Sequence, residues 1–469
     1  MPKQLFFDDN GLFGKENVAR VGGKPTLTAT YSDGVCSTDY CTGWAFRLDD
    51  RRWRLLYFGH GTAFAGMRLF AAISEDGVHF APEILNPAPA DGDFAHQVML
   101  LPDGAEVAFI YEDAHAADPA ERYKLLLAQH DMAQLCVQDL LYVSGDLLHW
   151  SPKEGVRWGD GTEPLASVFY NEKTQKHTVI LRPFWGIRRV GYKETADWEH
   201  FSDFVNCLNV DAADEHLAEI YGMYAFAYEG MFIGLPHLYR GLSSEYNAKY
   251  KNGTIDTQLA YSYDGRYWQR GLREPFISGV APTDGPAHPL TWVFNAHADA
   301  QGIKFFAAAS EYEHGPAFSH PGTGKILVYT LRTDGFVALE SADASRASVV
   351  TTREKVWHGG ELHLNLKAAG ATLAVFASDE SELVAGNVLG VAHPLAGYGH
   401  EDCVPFDGDS TDWVPQFKNG ATLSALAGKT LVFEVRFENG ALFSLAGDYT
   451  DVFNTEAARY RRFGVLPQK

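Results

Sequence analysis

The 469-residue chain is poor in cysteine, in positive charge and in long apolar runs. Its five cysteines (Cys36, Cys41, Cys136, Cys207 and Cys403) are odd in number and sparse. Only Cys36 and Cys41 lie close together, without a Cys-x-x-Cys spacing or a nearby His pair, so no zinc site is expected and the thiols are expected to be reduced. Lys and Arg number 39 against 60 Asp and Glu, a net charge of −21. A nucleic-acid backbone or an anionic membrane needs a basic footprint, so neither is expected as a partner, and a neutral small molecule or polysaccharide suits the chain better. No stretch of eighteen apolar residues occurs, which excludes a spanning helix. Acids stand in the opening Met-Pro-Lys-Gln-Leu-Phe-Phe-Asp-Asp-Asn where a signal peptide needs an apolar core, so a cytoplasmic protein is expected. The eighteen His are scattered without ligand spacing, and neither a metal nor a cofactor is expected.

Aromatics are plentiful: 30 Phe, 22 Tyr and 10 Trp suit a β-rich core or a sugar-binding cleft. The length allows two to four domains, or one large repeat fold with a smaller module. The repeat reading has direct support. Four segments share a polar Asp turn ending on an aromatic: Ser74-Glu-Asp-Gly-Val-His-Phe80, Ser144-Gly-Asp-Leu-Leu-His-Trp150, Ala196-Asp-Trp-Glu-His-Phe201 and Ser262-Tyr-Asp-Gly-Arg-Tyr-Trp268. Thr333-Asp-Gly-Phe336 is a degenerate fifth. Their aromatics are spaced by 70, 51, 67 and 68 residues. That is too long for a solenoid coil and suits four-stranded propeller blades with generous loops.

Strand-like runs recur between the turns, at Trp53–Phe58, Val107–Tyr111, His177–Leu181, Met231–Leu235, Ile303–Ala308 and Ile326–Leu331. The stretch from Asp118-Pro119 to Leu141 is open between a helix and a strand with a loop. Beyond about residue 340 the texture changes. Ser341–Ser348 reads as a linker, Leu362, Leu364 and Leu366 alternate with His363, Asn365 and Lys367, and Asn439-Gly440 reads as a hairpin turn after Leu431–Phe437. The expected architecture is all-β: a five-bladed β-propeller over 1–340 and a C-terminal antiparallel β-sandwich over 345–469.

Propeller blades closed by Ser-x-Asp-Leu-x-x-Trp turns, with a β-sandwich behind them, resemble glycoside hydrolases of clan J, families 32 and 43. Ser144–Trp150 carries that phrase, and the stretches Gly397–Cys403, Gly408-Asp409 and Leu423–Lys429 are similar to the family-32 C-terminal module. The Asn-Asp-Pro-Asn-Gly, Arg-Asp-Pro and Glu-Cys strings of family 32 are absent.

The resemblance implies a glycosidase working with two carboxyl groups, one acid and one nucleophile or base, and a third that holds the sugar. It implies that they lie on the innermost strands of blades one, three and four. Asp39 is then the nucleophile or base, with Asp33 as fallback. Asp160 or its rival Glu163 holds the substrate. Glu219, in the apolar run Ala218–Met223, is the general acid. Asp39, Asp160 and Glu219 are separated by 121 and 59 residues, two blade lengths and then one. Trp44, Trp158, Trp185 and Tyr221 are candidate stacking platforms, and Arg68, Arg188, His237 and His288 candidate hydroxyl or anion contacts. The Arg188-Arg189 pair could also read a planar anion on a sugar. The expected activity is hydrolysis of small oligosaccharides of fructoside or arabinoside/xyloside type. A sugar phosphorylase or transferase and a non-catalytic sugar-binding propeller remain alternatives.

Overall fold

The structure is a computed structural model that describes residues 2–33, 41–59, 66–90, 92–131, 136–159, 161–183, 187–241, 253–278, 288–317, 324–377 and 393–452. It is all-β, with only short helical turns at Pro119–Glu121, His314–Ala317 and Leu423–Leu426 among these residues. No helix among them is long and apolar enough to cross a membrane. The chain divides into two compact units, Lys24–Arg332 on the one hand and Met1–Gly23 with Thr333–Lys469 on the other.

The described residues of Lys24–Arg332 form four hydrogen-bonded sheets; the largest joins two strand groups through a parallel pairing of Ile255 with Leu290, so that five mostly antiparallel sets follow one another along the chain. The first comprises Gly43–Arg47, Trp53–Gly59 and Arg68–Ser74, with Ala81–Pro82 and Gln97–Leu100 both pairing the last of these. The second comprises Ala105–Glu112, Tyr123–Asp131, Cys136–Ser144 and Ser151–Lys153, and the third Thr162–Asn171, Lys176–Pro183, Val190–Thr195 and Val205–Leu208. In the fourth, Ala218–Tyr228 pairs Met231–Gly241, which carries both Gly253–Thr257 and Ala260–Ser262. The fifth runs Leu290–Asp299, Gly302–Ser310, Lys325–Leu331 and then Thr26–Tyr31. Its outermost strand therefore comes from the opposite end of the unit. The first strands of the five sets lie against one another in cyclic order, the fifth returning to the first. Strands covered on both faces need continuous burial, and Gly302–Ser310 is buried at every position. Even Lys304 lies inside, its ammonium 2.8 Å from Asp299.

The repeated phrases close the third strands of the first four sets by one local device. In Ser144–Trp150 the Ser144 hydroxyl and the backbone N–H groups of Leu148 and His149 all donate to Asp146 Oδ1. The same bonds recur around Asp76, Asp197 and Asp264. Side-chain acceptors that capture backbone donors two and three residues on are what make such a turn self-sufficient. In three of the turns a His three residues after the Asp returns to its other oxygen, at 2.7–2.9 Å. The stretch left open at 118–141 is a capped turn at Pro119–Glu121 followed by strands.

The fifth phrase belongs elsewhere. Asp334 lies in the second unit, 2 % exposed, where it accepts bonds from Lys3 Nζ (3.1 Å), Ser444 Oγ (2.6 Å) and Asn365 Nδ2 (3.4 Å). The 1–340 and 345–469 boundaries shift accordingly. Lys3–Leu5, Leu12–Glu16 and Val18–Gly22 pair with Thr430–Asp451, Ser348–Thr352 and Val337–Ser341 of the second unit. Ser341–Ser348 is no linker between units but a turn inside this one, pinned by Asn17 Nδ2 on the carbonyls of Asp343 and Arg346 (both 2.9 Å).

The second unit's core gathers Leu362, Leu364 and Leu366 with Leu431, Phe433, Val435 and Phe437, all fully buried as the alternation requires. Asn365 is buried as well, donating to Thr333 O at 2.7 Å. The hairpin expected at Asn439-Gly440 is absent. Thr430–Asp451 continues through it, keeping Lys355–Ala377 as neighbour on both sides (Leu373 to Val435, Lys367 to Ala441). Asn439 takes a left-handed φ of 39°, and a Cβ on Gly440 would stand 2.3 Å from Lys367 O. The pair bends the strand instead of reversing it.

Candidate functional site

Glu163 and Glu219 stand at the starting ends of the first strands of the third and fourth sets. Each is held by an arginine from the neighbouring stretch of the third set. Arg182 Nη2 lies 3.0 Å from Glu163 Oε2, and Arg188 Nη1 lies 2.5 Å from Glu219 Oε2 while its backbone N–H donates to Oε1 at 3.3 Å. Both guanidiniums cover one ring. Arg182 lies 4.5 Å and Arg188 5.6 Å from the Tyr221 centroid, and Arg182 Nη1 also donates to Tyr221 O at 3.0 Å. Tyr221 occupies a bulge, where the register with Met231–Gly241 shifts between Ile220 and Gly222. Bulges re-aim side chains next to functional sites. The Tyr221 hydroxyl is 2.8 Å from His314 Nε2, and its ring stacks on Tyr239 at 6.1 Å.

The electrostatics follow from these pairs. Burial opposes the Arg188 charge, but the Glu219 carboxylate outweighs it and holds the guanidinium above its usual range. Tyr239 is pushed up to about 12, mainly by burial. Two carboxylates and two guanidiniums balance in charge around aromatic walls. Such an assembly can accept bonds from sugar hydroxyls and donate to ring and glycosidic oxygens, whereas Tyr221 itself is buried under the two guanidiniums and Tyr239 and, like Trp44 and Trp158, offers no free face for stacking.

A second carboxylate constellation lies beside the start of the first set. Asp33 Oδ2 accepts from the Tyr57 hydroxyl and from His96 Nε2 at 3.0 Å, while the Tyr31 hydroxyl donates to that of Tyr57 at 3.0 Å, and the Asp33 side chain is only 5 % exposed. Tyr57 pairs across to Gly43, the first residue of that strand. Asp33 is the fallback of the sequence reading, and Tyr57 and His96 both donate to it.

Asp39, Asp160 and Trp185 lie outside the described residues. Glu163, Glu219, Arg188 and Tyr221 are brought together as described. Trp158 is fully buried, its indole donating to Leu140 O at 3.1 Å, and Trp44 is packed between Phe109 and Phe294. Neither offers a free face for stacking. Arg68 is buried and committed to Asp93 (2.9 Å) and Gln97 (2.6 Å). His237 is buried against Val293 O at 2.7 Å, and His288 is half-buried, its pKa lowered by burial. Sequence reasoning missed Arg182, Tyr239 and His314. Arg182 left a signal: a charged residue ending the apolar run Val179-Ile180-Leu181 is buried only when paired. It also missed Asp139, whose Oδ2 accepts from the N–H groups of Gly159 (3.0 Å) and Gly161 (3.4 Å) and so ties down the approach to Glu163. Among the described residues no cluster of three His, Cys, Asp or Glu side chains is arranged to hold a metal ion.

No family profile and no curated protein matches the sequence. Solved structures do. An N-acetylgalactosamine deacetylase from F. plautii, in complex with blood group B trisaccharide, is 11 % identical with a TM-score of 0.45, over 67 % of this chain and 96 % of that one. A glycosyl hydrolase from Bacteroides ovatus is 14 % identical (TM-score 0.40; 66 % and 94 % covered). A structure described under the GH130 family of mannoside phosphorylases, which contains glycoside hydrolases, is 15 % identical (TM-score 0.38; 68 % and 95 % covered). Matches of this strength assign neither substrate nor mechanism.

Proposed function

We propose that Lys24–Arg332 is a five-bladed β-propeller glycoside hydrolase acting on small oligosaccharides of fructoside or arabinoside/xyloside type. The reading is carried by one observation: Glu163 and Glu219, at the starts of adjacent first strands, are gathered with Arg182 and Arg188 around the Tyr221 ring. The cyclic neighbourhood of the five first strands supports the propeller. The second unit is then the β-sandwich module.

In this reading Glu219 protonates the leaving oxygen, Asp39 is the nucleophile or base with Asp33 as its substitute, and Asp160 or Glu163 holds the substrate. Both Glu219 oxygens face Arg188 in an ion pair, so substrate must draw the guanidinium aside and the carboxylate must take up a proton from solvent before it can act as an acid on a glycosidic oxygen. Incubation with fructo-, arabino- and xylo-oligosaccharides and their aryl glycosides is expected to release a monosaccharide. Inactivity on all of them, combined with tight binding to one, favours a non-catalytic sugar binder.

The pairing of Arg182 and Arg188 on one ring favours a second reading, a sugar phosphorylase, because guanidinium forks match phosphate. The same assay distinguishes it: sugar release that requires inorganic phosphate and yields a sugar phosphate replaces hydrolysis.

A further inference from the structure

All five sets contribute side chains from their first strands, or beside them, to one small cavity of about 20 Å³. Most of its wall is apolar, yet Thr42 Oγ1, Trp44 Nε1 and His237 Nδ1, buried polar atoms of residues that line it, have no hydrogen-bond partner among the described residues. Their residues are 7 %, 2 % and 3 % exposed. Orphaned buried groups are costly, and three around one space call for a common partner.

Their chemistry restricts what that partner is. Val293 O can only accept, so His237 Nε2 carries the proton and Nδ1 presents a lone pair. Burial keeps the ring neutral, with its pKa pushed down to about 3. The Trp44 indole nitrogen can only donate, and the Thr42 hydroxyl can do either. A cation suits His237 but not an N–H group, and an apolar occupant leaves all three unsatisfied. A hydroxyl oxygen that both donates and accepts satisfies every one. The space fits one such molecule, since a water needs roughly 10–15 Å³ on this measure and about three bonds. A Cβ added to Gly222 would stand 3.2 Å from His237 Nδ1 and 3.4 Å from Leu165, so the glycine leaves the imidazole its place.

We propose that this cavity holds one resident water, accepting from Trp44 Nε1, donating to His237 Nδ1 and bonded to the Thr42 hydroxyl. The water joins the first set to the fourth across the axis of the five first strands. It does not depend on the glycosidase reading and survives if that reading fails.

A crystal structure of the full chain, at a resolution that shows ordered water, is expected to place one peak about 2.8–3.0 Å from His237 Nδ1 and Trp44 Nε1. An empty cavity beside other well-ordered buried waters overturns the proposal. So does a peak about 2.0–2.6 Å from Nδ1 with further oxygen ligands, which identifies a cation. Oxygen-17 relaxation dispersion counts long-lived internal waters in solution. Trp44→Phe removes one bond and is expected to shorten the residence of one such water relative to wild type. Thr42→Val is expected to do the same, and an unchanged dispersion profile in both variants refutes the assignment.

Discussion

Replacing Glu219 by Gln separates the chemistry from the scaffold most cleanly. Gln keeps the size of the side chain and an oxygen for the Arg188 backbone N–H, which donates at 3.3 Å, but it loses the proton-transfer function and the charge facing Arg188 Nη1. The two side chains are 22 % and 24 % exposed, so the lost charge-assisted bond is partly desolvated and costs about 1.5–3 kcal/mol of stability. The catalytic loss is separate. A positioned general acid contributes roughly 100- to 10,000-fold, or about 2.7–5.4 kcal/mol of barrier. The loss should depend on the leaving group, since an activated aryl leaving group departs with little protonation. The assay compares kcat/KM for a natural oligosaccharide and an activated aryl glycoside, with urea unfolding to follow stability. Natural substrate should lose two to four orders of magnitude while the aryl glycoside is nearly spared. Equal loss on both substrates, in a variant that still unfolds cooperatively, refutes the assignment of Glu219 as acid. Asp39→Asn is the counterpart and should silence both substrates alike.

Asp334→Ala should destabilise the second unit by about 3–5 kcal/mol in urea unfolding, because Lys3, Asn365 and Ser444 are left facing an empty, buried position. Asp146→Ala should cost about 1–2 kcal/mol by freeing two backbone donors, and Asp76→Ala and Asp197→Ala should add to it nearly independently. Stability should fall as pH drops from 6.5 toward 3. His237 keeps a folded pKa of about 3 against 6.5 for a free ring, so the unfolded chain binds the proton first, and His177, lowered to about 4 chiefly by burial, acts in the same direction. His237→Gln should flatten that part of a stability-versus-pH curve measured by thermal unfolding.

What could be read from the sequence is what local chemistry writes. The four Asp turns were legible because each is closed by bonds among residues two or three apart, and their spacing implied repeated sets of strands. The alternation at Leu362–Leu366 was legible because a half-buried strand has a period of two. Glu163 and Glu219 could be nominated only through the blade positions that the resemblance implies, and Arg188 and Tyr221 only as residue types that contact sugars. The partners themselves are a tertiary matter. Arg182 is 19 residues from Glu163, and His314 is 93 from Tyr221. The same holds for Thr26–Tyr31 completing the fifth set, and for residues 3–22 joining strands more than 300 positions away. Strand edges are chemically alike along any chain, so which two pair is decided by the burial of their faces once the whole chain is compact. Asp334 illustrates the limit: its turn phrase reads like the other four, and only its buried partners reveal that it serves the second unit.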